Sequence, residues 1–444
     1  MAPVRVRLTF CIKQSAFSIQ HSAFSIFTMK PHSTTLFIIA LFASSIAIAQ
    51  PNIHPIGQIL YETPDDTMGS FANGILFKDD LEKPIVDFAK PGDKMVHVST
   101  FCIIDDIVYC TYYANTVGKQ ETPAEQLARF VTCPLANPQD KTYHDLCWTQ
   151  TVAKAENREE ILINGKHITH LYDIVLLRKD DKTLYLAWTL ALDGEYYRVY
   201  RTYDVQSKTF SDIKINQFTV NGRTVDFRTS SVTSLLRQEG IAFKPMQGDI
   251  GIMQKLSKRT ESGIDYYYTG CYCGPFNCLM KSRDLVNWEF VSIPDFPNDS
   301  QWENAVYVKG DRAYYCCRQY SRNNTAFLTY YDLLKKTWHE PVWVYETQSR
   351  YDFIEWQGNL YMVHSPKDRY HLAIMKIDQS ELSRSYDVQC AWVIDSFYPF
   401  MQEYKGKLYM SFTQSRKHIW LSIFRIRPLT TAQVINKFRK LLED

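Results

Sequence analysis

The chain alternates short apolar runs with polar turns, and the runs have the period of strands rather than of helices. Six segments align: HVSTFCIIDDIVYCTYY, HLYDIVLLRKDDKTLYLAWT, QGDIGIMQKLSKRTESGIDYYYTG, WENAVYVKGDRAYYCCRQ, SRYDFIEWQGNLYMVHS and SFYPFMQEYKGKLYMSFT. Each holds an apolar strand, a tight turn and a Tyr-centred strand. Gly263, Gly310, Gly358 and Gly406 occupy four of the turns, and the second-strand tyrosine recurs at Tyr314, Tyr361 and Tyr409, in steps of 47 and 48 residues. A third and a fourth strand follow. The turn between them opens on Asp and re-enters on an aromatic residue in YDVQSKTF (Tyr203–Phe210), SRDLVNW (Ser282–Trp288) and YDLLKKTW (Tyr331–Trp338). Four strands in every ~40–50 residues describe one blade of a β-propeller. The expected fold is all-β, a six- or seven-bladed β-propeller with a short C-terminal helix. Residues 51–92 carry HPIGQILYE, NGILFKDD and KPIVDF, enough strand pattern to complete a seventh blade or to close the last one. Closure removes exposed strand edges.

Two stretches read as helices. Thr224–Gly240 is an insertion whose helix stops at Gly240. The tail, residues 429–444, is amphipathic: Thr430 or Thr431 caps it, and Val434, Ile435, Phe438, Leu441 and Leu442 form its apolar face. Before the repeats, Met29 opens MKPHSTTLFIIALFASSIAIAQ. Lys30, the apolar run Leu36–Ile48 and the small residues Ala47 and Ala49 have the three-part form of a secretory signal, cleaved after Ala49. Residues 1–28, with the near-duplicate AFSIQHSAFSIF, read as a non-native extension, residues 29–49 as the signal peptide and residues 50–428 as the propeller. The expected location is secreted or periplasmic, with no membrane span.

Charge narrows the partners. A formal net charge of +2 points to neither nucleic acid nor an acidic membrane. The aromatic content of 14%, with 29 Tyr and 9 Trp, favours strands and supplies flat surfaces for sugars. The chain has 11 Cys. Export permits disulfides, but Cys102, Cys110, Cys133, Cys147, Cys316 and Cys317 sit inside strand patterns, where a buried free thiol is the simpler reading. Cys271, Cys273 and Cys278 have no standard zinc spacing. No metal or cofactor is expected.

The first strand of each propeller blade lines the central channel, so strand starts nominate one ring: His97, Ser99, His170, Tyr172, Asp173, Gln247, Asp249, Glu303, Asn304, Arg350, Asp352 and Tyr398. Loops between second and third strands nominate another: Arg318, Tyr320 and Arg322; Lys367, Arg369 and His371; Arg416, Lys417 and His418. Planar guanidinium groups suit carboxylate or sulfate, so the second ring points to an anionic ligand. His170 and Tyr172, two apart on a strand, share a face and offer proton transfer. Asp249 and Asp352 are candidate carboxylates for glycoside hydrolysis; a structural account, in which such residues tie neighbouring blades together, stands beside it. The expected catalytic set is His170, Tyr172, Asp249 and Asp352. The expected binding set is Arg318, Tyr320, Arg350, Arg369, His371, Arg416 and His418.

The Asp-opened turns, SRDLVNW above all, resemble the Asp-box repeats of the sialidase type. DIGIMQKLSKR, PDFPNDSQWENAVYV, QSRYDFIEWQGNLYMVHSPKDR and SFYPFMQE resemble the BNR-repeat propellers of polysaccharide-degrading bacteria. That group is similar to ulvan lyases and to rhamnosidases that cleave rhamnose linked to glucuronic acid. The resemblance spans about residues 95 to 428, and the order of its motifs is more telling than any one of them. It implies seven blades. The lyase pattern implies His170 as the histidine, Tyr172 or Tyr320 as the tyrosine and Arg318 or Arg350 neutralising a uronate. The rhamnosidase pattern implies a histidine near the N-terminus on the opposite face, and this chain has none between residues 55 and 96. The expected function is an exported, monomeric glycoside hydrolase acting on an acidic, uronate-containing polysaccharide or oligosaccharide. The alternatives are a polysaccharide lyase, a non-catalytic glycan-binding propeller and a structural propeller with protein partners.

Overall fold

The computed structural model describes residues 52–53, 84–243, 250–252, 255–273, 276–295, 300–319, 325–345, 347–366, 371–392 and 395–426. Among them the predicted strands form six sheets, built mainly from antiparallel neighbours in chain order. Sheet I runs Met95–Ile104, Ile107–Asn115, Gln126–Pro134, Thr142–Trp148. Sheet II starts on Lys166–Arg178, sheet III on Ile250–Ile252 and Ser257–Glu261, sheet IV on Ser300–Lys309, sheet V on Thr347–Trp356 and sheet VI on Ser396–Tyr404. Each packs on the next in chain order, and Ser396–Tyr404 returns to Met95–Ile104. The circle is that of a β-propeller.

The core follows from the alternation. A strand with both faces covered is largely apolar on both, and Met95–Ile104 is buried at every position, with Ser99 and Thr100 hydrogen-bonded to Ser411 and Thr111. Six apolar clusters result, one between each neighbouring pair of sheets. Trp188 lies between sheets I and II, and Trp288 between II and III, both fully buried.

The Asp-opened turns have a common cause. Asp204 Oδ1 accepts from Ser207 N at 2.7 Å. Asp284 Oδ1 accepts from Val286 N and Asn287 N, both at 2.8 Å. Asp332 Oδ1 accepts from Leu334 N at 3.0 Å and Lys335 N at 2.9 Å. Each carboxylate satisfies backbone donors that the turn leaves unpaired, as Asx-turns do. The bonds hold all three carboxyls below their ordinary pKa, although burial opposes this at Asp284. Lys208, Leu285 and Lys336 take the left-handed conformation that completes the turn.

The structure decides between the two roles expected of residues 51–92 and places the inserted helix. Residues 51–92 add no further sheet among the described residues. Val86–Asp87 instead pairs antiparallel with His418–Phe424 and closes sheet VI, while Asn52–Ile53 lies parallel to Val342–Tyr345 at the edge of sheet IV. The inserted helix runs Thr229–Gln238, with Gly240 at a positive φ of 69° just beyond it. The expected C-terminal helix, residues 429–444, and the signal segment lie outside the described residues. Cys102, Cys110, Cys133, Cys147, Cys271 and Cys316 are free and buried, and Cys278 and Cys317 are buried as well. Among the described residues no group of His, Cys, Asp and Glu is arranged to hold a metal, and no helix is long and apolar enough to cross a membrane.

Candidate functional site

The inner strands share an irregularity that the alternation does not reveal. In five sheets the pairing of the first two strands slips at a similar height: at His97/Thr100, Tyr172/Val175, Ser300/Asn304, Gln348/Asp352 and Phe397/Phe400. Bulges of this kind bend the strand and re-aim its side chains. Val98, Asp173 and Tyr398 take positive φ within them, at 55°, 60° and 53°. Glu303, Arg350, Asp173 and Tyr398 all sit at these slips, and their side chains converge.

Tyr398 donates its phenolic proton to Glu303, and the same carboxylate pairs with Arg318. Glu303 is 5% exposed. Burial, and then the Glu303 charge, push the Tyr398 phenol well above its ordinary pKa, so it stands protonated. The same carboxylate raises the Arg318 guanidinium pKa. Arg350, 3% exposed, stacks over the Tyr398 ring at 5.2 Å and pairs with Asp173 through Nη2. Its Nε and Nη1 are buried with no hydrogen-bond partner among the described residues. Asp173, 2% exposed, also accepts from Tyr272 Oη at 2.9 Å. Arg198 Nη1 donates to the Asp173 carbonyl at 2.9 Å and stands 3.7 Å from Oδ2; burial pulls its guanidinium pKa down to about 10. On the other side, the buried His97 ring stands edge-on to Tyr398 at 4.4 Å and to Tyr113 at 5.7 Å. Tyr113 donates to Glu121, and Glu121 Oε2 pairs with Arg416 at 2.7 Å.

This is a tyrosine–carboxylate couple between guanidinium groups from two sheets. Among the described residues, three guanidiniums (Arg198, Arg318, Arg350) face two carboxylates (Asp173, Glu303), an excess of one positive charge in a poorly solvated place. A single anionic group on a ligand complements it.

Of the residues nominated from sequence, Arg318 and Arg350 belong to this cluster, and Arg416 reaches its edge through Glu121. His170 and Tyr172, expected as the proton-transfer pair, do share a side, but that side faces Tyr196, at 6.3 and 6.1 Å between ring centres. His170 Nδ1 is 3.2 Å from Oγ1 of its neighbour Thr169, and the Tyr172 hydroxyl is buried with no partner among the described residues. His418, expected to bind ligand, is instead a closure residue: its Nδ1 lies 2.6 Å from Asp87 Oδ2, and its ring stacks on Trp420. Asp249, Tyr320 and Arg369, with Gln247, Arg322 and Lys367, lie outside the described residues, as does the side chain of His371.

Asp352, expected as a catalytic carboxylate, ties neighbouring sheets together. It is fully buried, accepts from Met401 N at 2.6 Å and pairs with Lys255 at 3.0 Å. Lys255 and Met401 line a cavity of about 220 Å³ together with Phe101, Leu176, Phe353 and Gln402. Burial raises the Asp352 carboxyl pKa to about 6, above its unfolded value, despite Lys255. The folded state therefore holds the extra proton between about pH 4 and 6, and stability falls as pH rises through that window. Asp352→Asn is expected to flatten this part of the stability profile, a change of about 3 kcal/mol, measured by urea unfolding at several pH values.

Glu303, Tyr398 and Asp173 belong to the expected channel ring, but neither Glu303 nor Tyr398 is in the expected catalytic set. Glu121, Tyr113, Tyr272 and Arg198 carried no signal, because they lie outside the strand starts.

No protein-family model and no curated protein matches the chain. Among solved structures it is similar to a mutant of Trypanosoma rangeli sialidase displaying trans-sialidase activity, with 10% identity and TM-score 0.45, over 82% of this chain and 59% of that one. It thus spans less than two thirds of the trypanosomal enzyme. It is also similar to a point mutant of the NanB sialidase from Streptococcus pneumoniae, with 11% identity and TM-score 0.47, over 80% of this chain and 72% of that one. A polysaccharide lyase, Uly1, matches at 11% identity and TM-score 0.37, over 74% of this chain and 78% of that one.

Proposed function

We propose that the protein is an exported, retaining glycoside hydrolase that releases a terminal sugar acid, with Tyr398 as nucleophile and Glu303 as its base. The observation that carries this reading is the Tyr398–Glu303 hydrogen bond set between Arg318 and Arg350. Most retaining glycosidases attack with a carboxylate, and sialidases with a tyrosine. The physical reason for a phenol is charge. A carboxylate nucleophile would meet like-charge repulsion from a substrate carboxylate on the reacting carbon, and a neutral phenol does not. As Tyr398 Oη bonds to the anomeric carbon, its proton passes to Glu303. The bond to the leaving oxygen breaks, and that oxygen is protonated from water. A second water then attacks the glycosyl-tyrosine, giving its proton to the medium, while Tyr398 recovers the proton from Glu303. Two inversions retain the configuration.

Arg318 and Arg350 would hold the substrate carboxylate, a role suited to planar guanidinium donors. The lyase alternative is less well supported. Its expected base, His170, faces Tyr196, and the Glu303 carboxylate is already engaged by Tyr398 and Arg318. The Met29–Ala49 segment is the basis for proposing export. The six sheets are read as six blades closed by Val86–Asp87, one fewer than the resemblance implies.

The test is product analysis on aryl sialosides, aryl glucuronides and ulvan. Release of a free sugar acid with retained configuration, followed by NMR, is the expected result. An ultraviolet-absorbing unsaturated uronate would instead identify a lyase, and binding without any product a glycan-binding propeller.

A further inference from the structure

Arg350 is the most constrained member of the cluster, and the reason lies on sheets II and III rather than on its own sheet V. Asp173 meets it from sheet II, in a bulge and at φ 60°, a backbone position that aspartate adopts more readily than most residues. Two partners fix the Asp173 carboxylate: Tyr272 Oη at 2.9 Å from sheet III, and Arg198, which is fully buried. Behind them lies Gly251, the register partner of Tyr272. A Cβ at Gly251 would overlap the Tyr272 ring and lie 2.5 Å from Asp173 Oδ2. The closeness of Tyr272 and Asp173 therefore depends on a residue with no side chain. The column Gly251, Tyr272, Asp173, Arg350 crosses three sheets and ends at the Tyr398 ring.

From this we infer that Asp173 is a positioning residue, one that holds Arg350 by Nη2 so that Nε and Nη1 are left to receive the carboxylate of the substrate. The inference rests on the function proposed above and adds what sets its selectivity for an acid. Arg350 keeps two buried nitrogens with no partner among the described residues, which is costly unless a ligand completes them. Asp173 touches no reacting atom. It acts through Arg350, so its loss should weaken recognition of the acid more than it slows the chemical step.

The experiment compares wild type with Asp173→Asn, Gly251→Ala and Tyr272→Phe. Calorimetry reads the binding of an aryl sialoside and of its methyl ester, and kinetics separate KM from kcat. Asp173→Asn should weaken binding of the acid by roughly tenfold or more, leave the ester unchanged and raise KM with little loss of kcat. Gly251→Ala, which displaces Asp173 but keeps its charge, should act in the same direction. Tyr272→Phe, the mildest change, should give a smaller effect of the same sign and covers the case in which Asp173→Asn does not fold. Equal affinity for the acid in wild type and in the folded variants would overturn the positioning role while leaving the proposed function intact. A wild-type protein that binds no sugar acid would overturn both.

Discussion

Tyr398→Phe should lower turnover of an aryl sialoside by roughly a thousandfold or more, since it removes the nucleophilic oxygen and keeps the ring. The ring is what Arg350 and His97 touch, at 5.2 and 4.4 Å, so the walls of the site should stay in place. Affinity for the substrate should therefore change far less than kcat. Glu303→Gln should act on the same step by leaving the phenol without a proton acceptor. It should also release Arg318 from its carboxylate partner, and so disturb binding more than Tyr398→Phe does. The double variant should be scarcely slower than the worse single one, because residues acting as one unit do not add. Stopped assays over hours, with intact mass spectrometry to look for a glycosyl adduct on Tyr398, would check both parts. A Tyr398→Phe protein with near-normal turnover would remove the tyrosine from the mechanism.

The second large effect concerns stability. Trp288→Ala is expected to cost about 3–5 kcal/mol, the range for deleting a fully buried large aromatic side chain. Trp288 closes the turn held by Asp284 and fills the space between sheets II and III against Phe218, so the cavity left behind has no loose wall to collapse. Trp338, at the same place in a later turn, is only half-buried, and its Nε1 donates to Ser292 Oγ at 2.9 Å. Trp338→Ala should cost less. Equilibrium urea unfolding of the two variants side by side would test the order.

Much of this architecture is legible in the sequence because it repeats. The tyrosines at Tyr314, Tyr361 and Tyr409 and the turn aspartates Asp204, Asp284 and Asp332 mark equivalent points in successive sheets. Local hydrogen bonding explains why aspartate recurs there. The site is less legible for a physical reason. Period-two alternation assigns each residue of a strand to one face, and that assignment fails at a bulge, where a residue at positive φ turns its side chain away from the expected side. Tyr398 and Asp173 are such residues. Reading straight through the slip favoured His170, Tyr172 and Asp352, while Glu303 and Tyr398, 95 positions apart, are the pair that meet. Asp352 illustrates the opposite case. It carries the right chemical group at a strand start, yet Lys255 and a backbone N–H already occupy it.

The pairing of Val86–Asp87 with His418–Phe424 has a consequence for how the molecule is made. Asp87 and His418 are 331 positions apart, so the circle has no local route to completion. A chain emerging from the ribosome can assemble hairpin after hairpin, but its first and last sheets stay unlatched until His418–Phe424 is available. During that interval two raw strand borders are open to neighbours. The latch is also short, and the entropy of joining such distant segments changes only slowly with their separation. Lengthening the intervening loops should therefore be tolerated far better than trimming the few residues that meet at the seam.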